Sequence, residues 1–215
     1  MKGDIILVED HHRLAAEQVI ARLIDEIEQR DRRTTLTVAG ESGSGKSEIA
    51  QAIAEALKPR GVGTAILQQD DYFVHPPRTN DRTRRANLCW VGSSEVRLDL
   101  LDEHLAAAVE GASSITKPLV IYEEDRITQE TLEFGDAEVV IAEGTYTSLL
   151  ANVDRRVFIA RNRLDTMDHR MKRSREEFDP FIEQVLEIEH DIISAHRTRA
   201  DILITRDYEV GFVRL

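Results

Sequence analysis

Apolar and polar residues alternate along the chain in blocks that predict helices and buried strands. Between residues 14 and 27 the apolar positions step by one and three, which is the spacing of one helical face, and charged residues occupy the opposite face. Residues 34–39 form a short β-branched run that stops at Gly40, as a buried strand would. Residues 47–57 repeat the helical spacing. The predicted order is therefore helix, strand, glycine-containing loop and helix.

The same alternation continues through the rest of the sequence. Further strands are predicted at residues 64–67, 137–142, 156–160 and 200–204, and further helices at residues 96–109, 164–177 and 180–196. The least regular stretch, residues 74–94, contains two prolines and several arginines and is interpreted as a loop. Strands separated by helices imply a parallel sheet with right-handed crossovers. We therefore predict an α/β fold with a central, mostly parallel sheet flanked by helices.

Length and composition narrow the class of protein. The chain has 215 residues, of which 41% are hydrophobic, so a single domain over residues 1–215 is expected, with residues 1–33 as an N-terminal helical extension. The net charge of −12 argues against a nucleic-acid partner, because proteins that bind polyanions usually carry a positive surface. A single cysteine, Cys89, and a first segment without the order of a signal peptide favour the cytoplasm. No apolar run approaches the roughly 20 residues that span a bilayer, so no membrane association is predicted.

One segment carries a specific motif for phosphate binding. It fits the pattern G-x-x-x-x-G-K-[ST] at every fixed position and consists of Gly40, Glu41, Ser42, Gly43, Ser44, Gly45, Lys46 and Ser47. The glycines allow backbone N–H groups to surround phosphate oxygens, and the following helix points its positive end at the same anion. Lys46 is expected to reach the β- and γ-phosphates of ATP, and Ser47 to bind Mg²⁺. A glycine-rich turn with a chance lysine would not explain the flanking strand and helix, so the fold predicted is a three-layer P-loop NTPase fold.

Acidic residues follow two of the predicted strands. Asp70 and Asp71 come directly after the strand at residues 64–67, and Glu143 ends the strand at residues 137–142. Ligands of open parallel sheets bind beyond the carboxyl ends of the strands. One aspartate is a candidate to deprotonate an attacking hydroxyl or to reach Mg²⁺ through water, and the spacing does not decide which. Glu143 is a candidate to bind Mg²⁺ or a substrate hydroxyl. The alternatives are a turn-capping aspartate and a charged residue at the point where solvent begins.

Two groups of basic residues stand out in this acidic chain. Residues 155–175 hold eight lysines or arginines against two aspartates, which suits a segment that closes over ATP and stabilises the charge of phosphoryl transfer. Its leading candidates are Arg170, Arg173 and Arg175, followed by Arg163. The second group lies in the irregular stretch and comprises Arg78, Arg82, Arg84 and Arg85. These arginines either receive a substrate or lie on a mobile loop, and a solvated helix face is the alternative for the first group.

The order of these segments resembles the uridine kinase and phosphoribulokinase group of P-loop kinases, which also includes nicotinamide riboside kinases and bacterial pantothenate kinases. The likeness rests on the phosphate loop and on residues 67–73, 98–105, 140–144, 165–177 and 200–204, which occur in the same order. The resemblance implies a P-loop kinase domain with a substrate-side loop at about residues 74–95 and an arginine-bearing lid at about residues 163–178.

The resemblance also implies a reaction and the residues that perform it. Asp70 would take the proton of the substrate hydroxyl. Ser47 and Glu143 would be ligands of Mg²⁺, with Asp70 as a further candidate ligand. Arg170 or Arg173 would belong to the closing lid. The activity implied is ATP-dependent and Mg²⁺-dependent phosphorylation of a hydroxyl on a nucleoside-, sugar- or vitamin-like molecule.

The acceptor itself is not identified by the sequence. The pattern by which uridine kinases hold their pyrimidine is not evident at residues 90–93 and 122–126. The candidates for substrate binding are Asp71, Tyr72, Arg78, Trp90, Tyr122, Arg126, Glu143 and Tyr146. Packing in the core is an equal alternative for Trp90 and Tyr146. The alternative function is a P-loop NTPase that acts as a regulatory or assembly switch without a small-molecule acceptor, and a homo-oligomer is compatible with either function.

Overall fold

The structure, a computed structural model, describes residues 6–165 and 179–213. Its helices are α1 (Asp10–Glu28), α2 (Lys46–Leu57), α3 (Pro77–Ala86), α4 (Leu98–Val109) and α5 (Pro180–Ser194). Its strands are β1 (Thr34–Gly40), β2 (Gly63–Gln68), β3 (Ser114–Ile121), β4 (Arg126–Glu133), β5 (Ala137–Glu143), β6 (Arg155–Ile159), β7 (Ile202–Ile204) and β8 (Val210–Phe212). None of the helices in these two ranges has the length and apolar character needed to cross a membrane.

Six of the described strands form one sheet in the order β2-β5-β1-β6-β7-β8. Neighbouring strands run parallel except β8, which is antiparallel to β7. β1 lies between β5 and β6, and every residue of β1 is buried. The prediction of a central, mostly parallel sheet is confirmed. Because the carboxyl ends of parallel strands meet at one edge of a sheet, the segments that follow β1, β2 and β5 come together there.

Helices cover both faces of the sheet and complete the predicted three layers. On one face α1 and α2 share a core with the sheet, and Ile20, Leu23 and Ile27 of α1 are at most 3% exposed. On the other face Leu101 and Leu105 of α4 pack against residues of β5 and β6. The N-terminal helix therefore belongs to the same core as the helix that follows the phosphate loop.

The stretch at residues 74–94, for which the sequence predicts a loop, contains the helix α3. The helix begins at Pro77, a residue type that suits the first helical turn because its missing N–H has no partner there. Within this fully described helix, Asn80 alone is buried. A helix that buries so little of its surface has no apolar periodicity for a sequence pattern to detect.

The antiparallel hairpin of β3 and β4 is a second element that the sequence does not predict. Residues 114–121 pair with residues 126–133, and the hairpin is separate from the large sheet. Polar residues dominate β4, and Lys117 and Pro118 interrupt the apolar positions of β3. These interruptions hide the strand period from the sequence. The short edge strand β8 is missed for a simpler reason, since three residues carry no period.

Most of the predicted helix at residues 164–177 and most of the predicted lid lie outside the described residues. Arg170, Arg173 and Arg175 are among the residues concerned. Their assignment to a lid therefore stays a prediction.

A carboxylate with little exposure fixes the end of α1 to the start of the sheet. The side chain of Asp154 is 11% exposed and accepts hydrogen bonds from Arg30 at 2.6 Å and from Arg32 at 2.7 Å. It also accepts from the backbone N–H of Thr35 at 2.9 Å. Burial opposes ionisation, but these hydrogen bonds and the two guanidinium charges outweigh it, so the pKa of Asp154 is lowered to about 2.

We expect Asp154→Asn to lower the free energy of unfolding by about 2 kcal/mol near neutral pH, since each pKa unit corresponds to about 1.4 kcal/mol. A carboxylate with a lowered pKa stabilises the fold fully above its ordinary value of 3.8, and this contribution is lost as the pH falls through about 2. Urea unfolding at about pH 6 and about pH 3 measures the effect, and the difference from wild type should shrink at the lower pH.

The matched control is Asp136→Asn, which removes an exposed carboxylate just before β5. If Asp154→Asn is as stable as this control near neutral pH, the anchoring role of Asp154 is wrong.

Candidate active site

The phosphate loop connects β1 directly to α2 at the carboxyl edge of the sheet. Gly45 has a φ of +98° and begins α2 without a side-chain cap. A Cβ at Gly45 would lie 2.8 Å from the Tyr208 hydroxyl, and one at Gly40 would lie 2.7 Å from Ser44 Oγ. Both positions therefore require glycine. A helix that starts in this way leaves its first N–H groups to be satisfied by water or by an anionic ligand.

The side chains of the loop fit a polyphosphate. Lys46 Nζ donates to the carbonyl oxygen of Glu41 at 3.0 Å, so the ammonium group lies over the loop rather than in the core. Among the described residues, the Ser44 hydroxyl is fully buried and has no hydrogen-bond partner. A lysine folded onto a glycine-rich loop suits phosphate oxygens, which accept hydrogen bonds.

Glu143 brings the phosphate loop and the turn after β2 together. It ends β5, which lies between β1 and β2, and it is 4% exposed. Burial raises the pKa of Glu143, and the negative charge of Asp70 raises it further. The positive charge of Lys46 and the hydrogen bond from Ser47 act in the opposite direction. Three of the predicted site residues therefore influence the ionisation of one buried carboxylate, and Ser47 contacts it directly.

The described residues contain no group of three or more His, Cys, Asp or Glu side chains that could hold a metal ion by themselves. In nucleotide sites, however, Mg²⁺ commonly takes one or two protein oxygens and completes its octahedron with water and phosphate oxygens. Ser47 Oγ donates to Glu143 Oε1 at 3.1 Å, so these two oxygens fit such a partial set of ligands. Asp70 acts electrostatically on the same carboxylate and suits a ligand that binds through water.

The turn after β2 separates its two aspartates. The 3₁₀ turn Gln69–Tyr72 buries Asp71 and leaves Asp70 exposed. Asp71 accepts from Lys117 Nζ at 2.7 Å and from the backbone N–H of Val120 at 3.0 Å, which ties the β3–β4 hairpin to the turn. The geometry therefore favours Asp70 as the base. Asp71 holds the hairpin to the turn through these contacts, and its role in substrate binding stays a prediction.

We expect Lys117→Met to lower the free energy of unfolding by about 3–5 kcal/mol, because the change leaves Asp71 buried without its counter-ion. Lys117 is 4% exposed and also pairs with Glu130 at 2.7 Å. Adding Asp71→Asn removes the unpaired charge and should restore part of the stability. Urea unfolding of the single and double variants measures both effects. A loss no larger than that of Lys58→Met, which changes an exposed lysine at the end of α2, would contradict this role.

A cavity of about 230 Å³ lies between the turn after β2, helix α3 and the tip of the β3–β4 hairpin, and we call it the acceptor-side cavity. Its lining residues are Asp70, Phe73, His75, Pro77, Asn80, Asp81, Arg84 and Tyr122. It is smaller than the roughly 300–1,000 Å³ of sites for drug-sized ligands, so it suits a small molecule. Asp70 thus faces this cavity while it acts on Glu143 beside the phosphate loop.

Two aromatic residues predicted to bind substrate lie at the acceptor-side cavity. Tyr122 lines it and is 50% exposed. Trp90 stands behind the lining, since its Nε1–H donates to Asn80 Oδ1 at 2.9 Å and its ring lies 5.4 Å from the ring of His75. Trp90 therefore packs behind the lining and helps to position Asn80 and His75. This agrees with the alternative interpretation of Trp90 as a packing residue.

Two other predicted substrate residues, Tyr72 and Tyr146, are core residues. Tyr72 is fully buried, with its hydroxyl 2.8 Å from His104 Nδ1, and Tyr146 is 1% exposed. Burial raises the pKa of both phenols, so both are neutral at ordinary pH. From the sequence alone, a buried aromatic residue that follows an acidic residue at the end of a strand cannot be distinguished from one that binds a ligand.

Arg78 and Arg126, also predicted to bind substrate, make their described contacts at the hairpin tip, and their role in substrate binding stays a prediction. The backbone N–H of Arg78 donates to Asp125 Oδ1 at 2.7 Å, and its guanidinium donates to the Glu123 carbonyl at 3.3 Å. Arg126 pairs with Glu124 at 2.7 Å. These pairings depend on a hairpin that the sequence does not predict.

A buried network of charges links the phosphate loop to α3. Arg84 donates to Glu95 at 2.7 Å and to Glu189 of α5 at 3.1 Å. Glu189 in turn accepts from Ser42 Oγ at 3.0 Å. Both sides of the site are therefore fixed to the same buried carboxylate, that of Glu189. Asn80 and Arg84 are four residues apart and therefore lie on the same face of α3, the face that carries the network. The sequence spacing indicates this face only if α3 is already known to be a helix.

Glu41, a predicted phosphate-loop ligand, turns its carboxylate away from the loop. Its Oε2 accepts from the backbone N–H of Arg163 at 2.8 Å, and its Oε1 lies 2.7 Å from His190 Nδ1. The Arg163 guanidinium lies 3.5 Å from Glu183 of α5. The side chain of Glu41 therefore joins the loop to the start of the predicted lid, and only its backbone remains a candidate for phosphate binding.

Several known proteins match this chain in sequence. The model of the family described as Phosphoribulokinase / Uridine kinase family matches residues 35–165. The bifunctional alpha-galactosidase/sucrose kinase AgaSK of Mediterraneibacter gnavus is 29% identical over 194 residues, which cover 84% of this chain and 21% of that protein. The chain thus spans about a fifth of the length of this relative. A uridine kinase of Latilactobacillus sakei subsp. sakei (strain 23K) is 26% identical over 179 residues, which cover 78% of this chain and 82% of that protein.

Solved structures share the fold at low sequence identity. A possible uridine kinase from Bacillus stearothermophilus superposes with a TM-score of 0.62 and 17% identity, covering 90% of this chain and 97% of that chain. The D-glycerate 3-kinase from Cryptococcus neoformans var. grubii superposes with a TM-score of 0.60 and 12% identity, covering 95% of this chain and 100% of that chain. At these identities the likeness concerns the fold alone.

Proposed function

Since the chain belongs to the phosphoribulokinase / uridine kinase family, we propose that it transfers the γ-phosphoryl group of ATP to a hydroxyl group of a small molecule. The observation that carries this proposal is the position of Asp70. It lines the acceptor-side cavity and acts electrostatically on Glu143 beside the phosphate loop. A carboxylate that lies between the acceptor-side cavity and the phosphate loop is placed to take the proton of the attacking hydroxyl.

In the proposed reaction each residue has a separate task. Asp70 takes the proton of the acceptor hydroxyl while the hydroxyl oxygen bonds to the γ-phosphorus and the bond from that phosphorus to the bridging oxygen of ADP breaks. Lys46 and the N-terminus of α2 stabilise the negative charge of the phosphate oxygens. Bound Mg²⁺, for which Ser47 and Glu143 are the proposed protein ligands, would neutralise further phosphate charge. Arginines of the proposed lid would add to this stabilisation from outside the described residues.

The proposed acceptors are nucleoside-, sugar- or vitamin-like alcohols. A sugar is supported by the similarity to a protein named as a sucrose kinase, and a nucleoside by the similarity to proteins named as uridine kinases. The residues at 90–93 and 122–126 do not show the uridine kinase pattern, which speaks against uridine. The family relationship alone therefore leaves the acceptor class to be decided by the chemistry of the cavity.

Acceptor-dependent release of ADP tests the proposal. The purified chain is incubated with ATP and Mg²⁺ in the presence of single nucleosides, vitamins and sugars. We expect at least one alcohol to raise ADP release well above the basal rate and phosphorus NMR to detect the new phosphate ester. Fast ATP hydrolysis that no acceptor stimulates would argue for the regulatory or assembly NTPase instead.

A further inference from the structure

The acceptor-side cavity holds more negative than positive charge among its described residues. Asp70 and Asp81 line it as carboxylates, and Arg84 is the one lysine or arginine among the described lining residues. Arg84 is already bound to Glu95 at 2.7 Å and to Glu189 at 3.1 Å. Its positive charge is therefore opposed by two buried carboxylates before any ligand arrives.

The remaining arginines of α3 are not among the described lining residues of the cavity. Arg82 lies 3.5 Å from Asp125 at the hairpin tip. The guanidinium of Arg78, one helical turn earlier on α3, is also bound at the hairpin tip, where it donates to the Glu123 carbonyl. Arg85 pairs with both Asp81 at 2.9 Å and Asp179 at 2.6 Å, so one guanidinium balances only one of two carboxylates and the group keeps a net negative charge. Three arginines of the second basic group, Arg82, Arg84 and Arg85, thus form ion pairs that hold α3 in place.

The other lining residues are uncharged or weakly basic and offer two kinds of contact. His75, Asn80 and Tyr122 carry hydrogen-bonding groups, and Phe73 and Pro77 present apolar surface. A hydroxyl group both donates and accepts, so it can pair with carboxylates, amides and imidazoles alike. A carboxylate or phosphate only accepts, and in this cavity it would face Asp70 and Asp81.

We propose that the acceptor is an uncharged molecule rich in hydroxyl groups, and that carboxylated or phosphorylated acceptors are rejected by the charge of the acceptor-side cavity. This inference rests on the proposed kinase function and names its substrate class. Like charges brought face to face across a binding site repel each other, so an anionic acceptor loses affinity before the reaction starts. A free sugar and a nucleoside both meet the criterion, whereas a hydroxy acid and a sugar phosphate do not.

A panel of five acceptors tests the inference. Fructose, sucrose and uridine are uncharged, fructose 6-phosphate is the charged counterpart of fructose, and D-glycerate is a small hydroxy acid. We expect at least one uncharged compound to stimulate ADP release, with kcat/KM at least about 10²-fold above that of either charged compound. Turnover of fructose or sucrose identifies a sugar as the acceptor, and turnover of uridine identifies a nucleoside.

The two ways of failing are distinct. If a charged compound is phosphorylated as well as the best uncharged one, the inference is overturned and the kinase function stands. If none of the five, and none of the nucleosides, vitamins and sugars of the wider screen, stimulates ADP release, the proposed function is overturned and the inference with it.

A matched pair of variants separates charge from shape. Asp81→Asn removes one negative charge from the cavity, and we expect it to raise kcat/KM for the charged compounds relative to the uncharged ones by about two- to fivefold, the effect of one screened charge. Asp136→Asn removes the same charge at the amino end of β5, which is the opposite edge of the sheet, and should leave the ratio unchanged. An unchanged ratio in Asp81→Asn would overturn the electrostatic account.

Discussion

Asp70→Asn is expected to lower kcat by about 10²–10⁴-fold with little change in the dissociation constant for ATP. Asparagine keeps the size of the side chain but cannot take the proton of the acceptor hydroxyl. ATP affinity depends mainly on the phosphate loop, whereas Asp70 lies in the turn after β2 and faces the acceptor-side cavity. Steady-state ADP release with a saturating acceptor gives kcat, and titration with a fluorescent ATP analogue gives the affinity.

Two further aspartate variants make this result decisive. Asp136→Asn, remote from the site, should keep the wild-type kcat. Asp71→Asn should lose stability rather than chemistry, because Asp71 binds Lys117 and the hairpin backbone. Full activity in folded Asp70→Asn would refute its role as the base. A loss of kcat in folded Asp71→Asn as large as that expected for Asp70→Asn would move the role to Asp71.

Lys46→Ala is expected to lower kcat/KM for ATP by about 10³-fold, the effect of removing a donor aimed at charge that develops in the transition state. The ammonium group already lies over the phosphate loop, where it donates to the Glu41 carbonyl at 3.0 Å. It lowers the pKa of Glu143, so its loss also changes the electrostatics of the proposed Mg²⁺ ligands. The initial rate of ADP release over a range of ATP concentrations measures the change.

Lys58→Ala is the matched control for this experiment, because it removes an exposed lysine at the other end of α2. It should keep the wild-type kcat/KM. Circular dichroism should show that both variants are folded. Equal kcat/KM values in Lys46→Ala and Lys58→Ala would contradict the assignment of Lys46.

The elements that the sequence predicts well are those whose signal is local. β1 is a short run of buried residues, and α1 and α2 each carry an apolar face. The motif between β1 and α2 contains glycines at positions where the backbone leaves no room for a side chain. The order of strands and helices then predicts the parallel sheet, and the sheet predicts that Asp70 and Glu143 approach the phosphate loop. In such cases the residues that decide the structure lie next to one another in the sequence.

The acceptor side is harder to predict because its interactions are long-range. Two adjacent aspartates differ only in which way a 3₁₀ turn directs them, and the buried Lys117 that pairs with Asp71 lies on a hairpin without a clear strand period. Arg84 appears in the sequence as one of several arginines on a loop. Its buried partners, Glu95 and Glu189, come from separate segments of the chain. No local pattern distinguishes it from Arg78, which is held at the hairpin tip.

β1 can pair only with strands that lie far along the chain. Its two neighbours, β5 and β6, span residues 137–143 and 155–159, so the phosphate-loop strand leaves the ribosome long before either partner exists. Non-local pairing forms slowly, because a long segment must be closed before the contact stabilises it. We therefore expect α1, the unpaired strand β1 and α2 to remain an incomplete, apolar-faced unit for most of synthesis. If the chain binds ATP as proposed, we expect the ligand to stabilise the fold only after the central strand has acquired both neighbours.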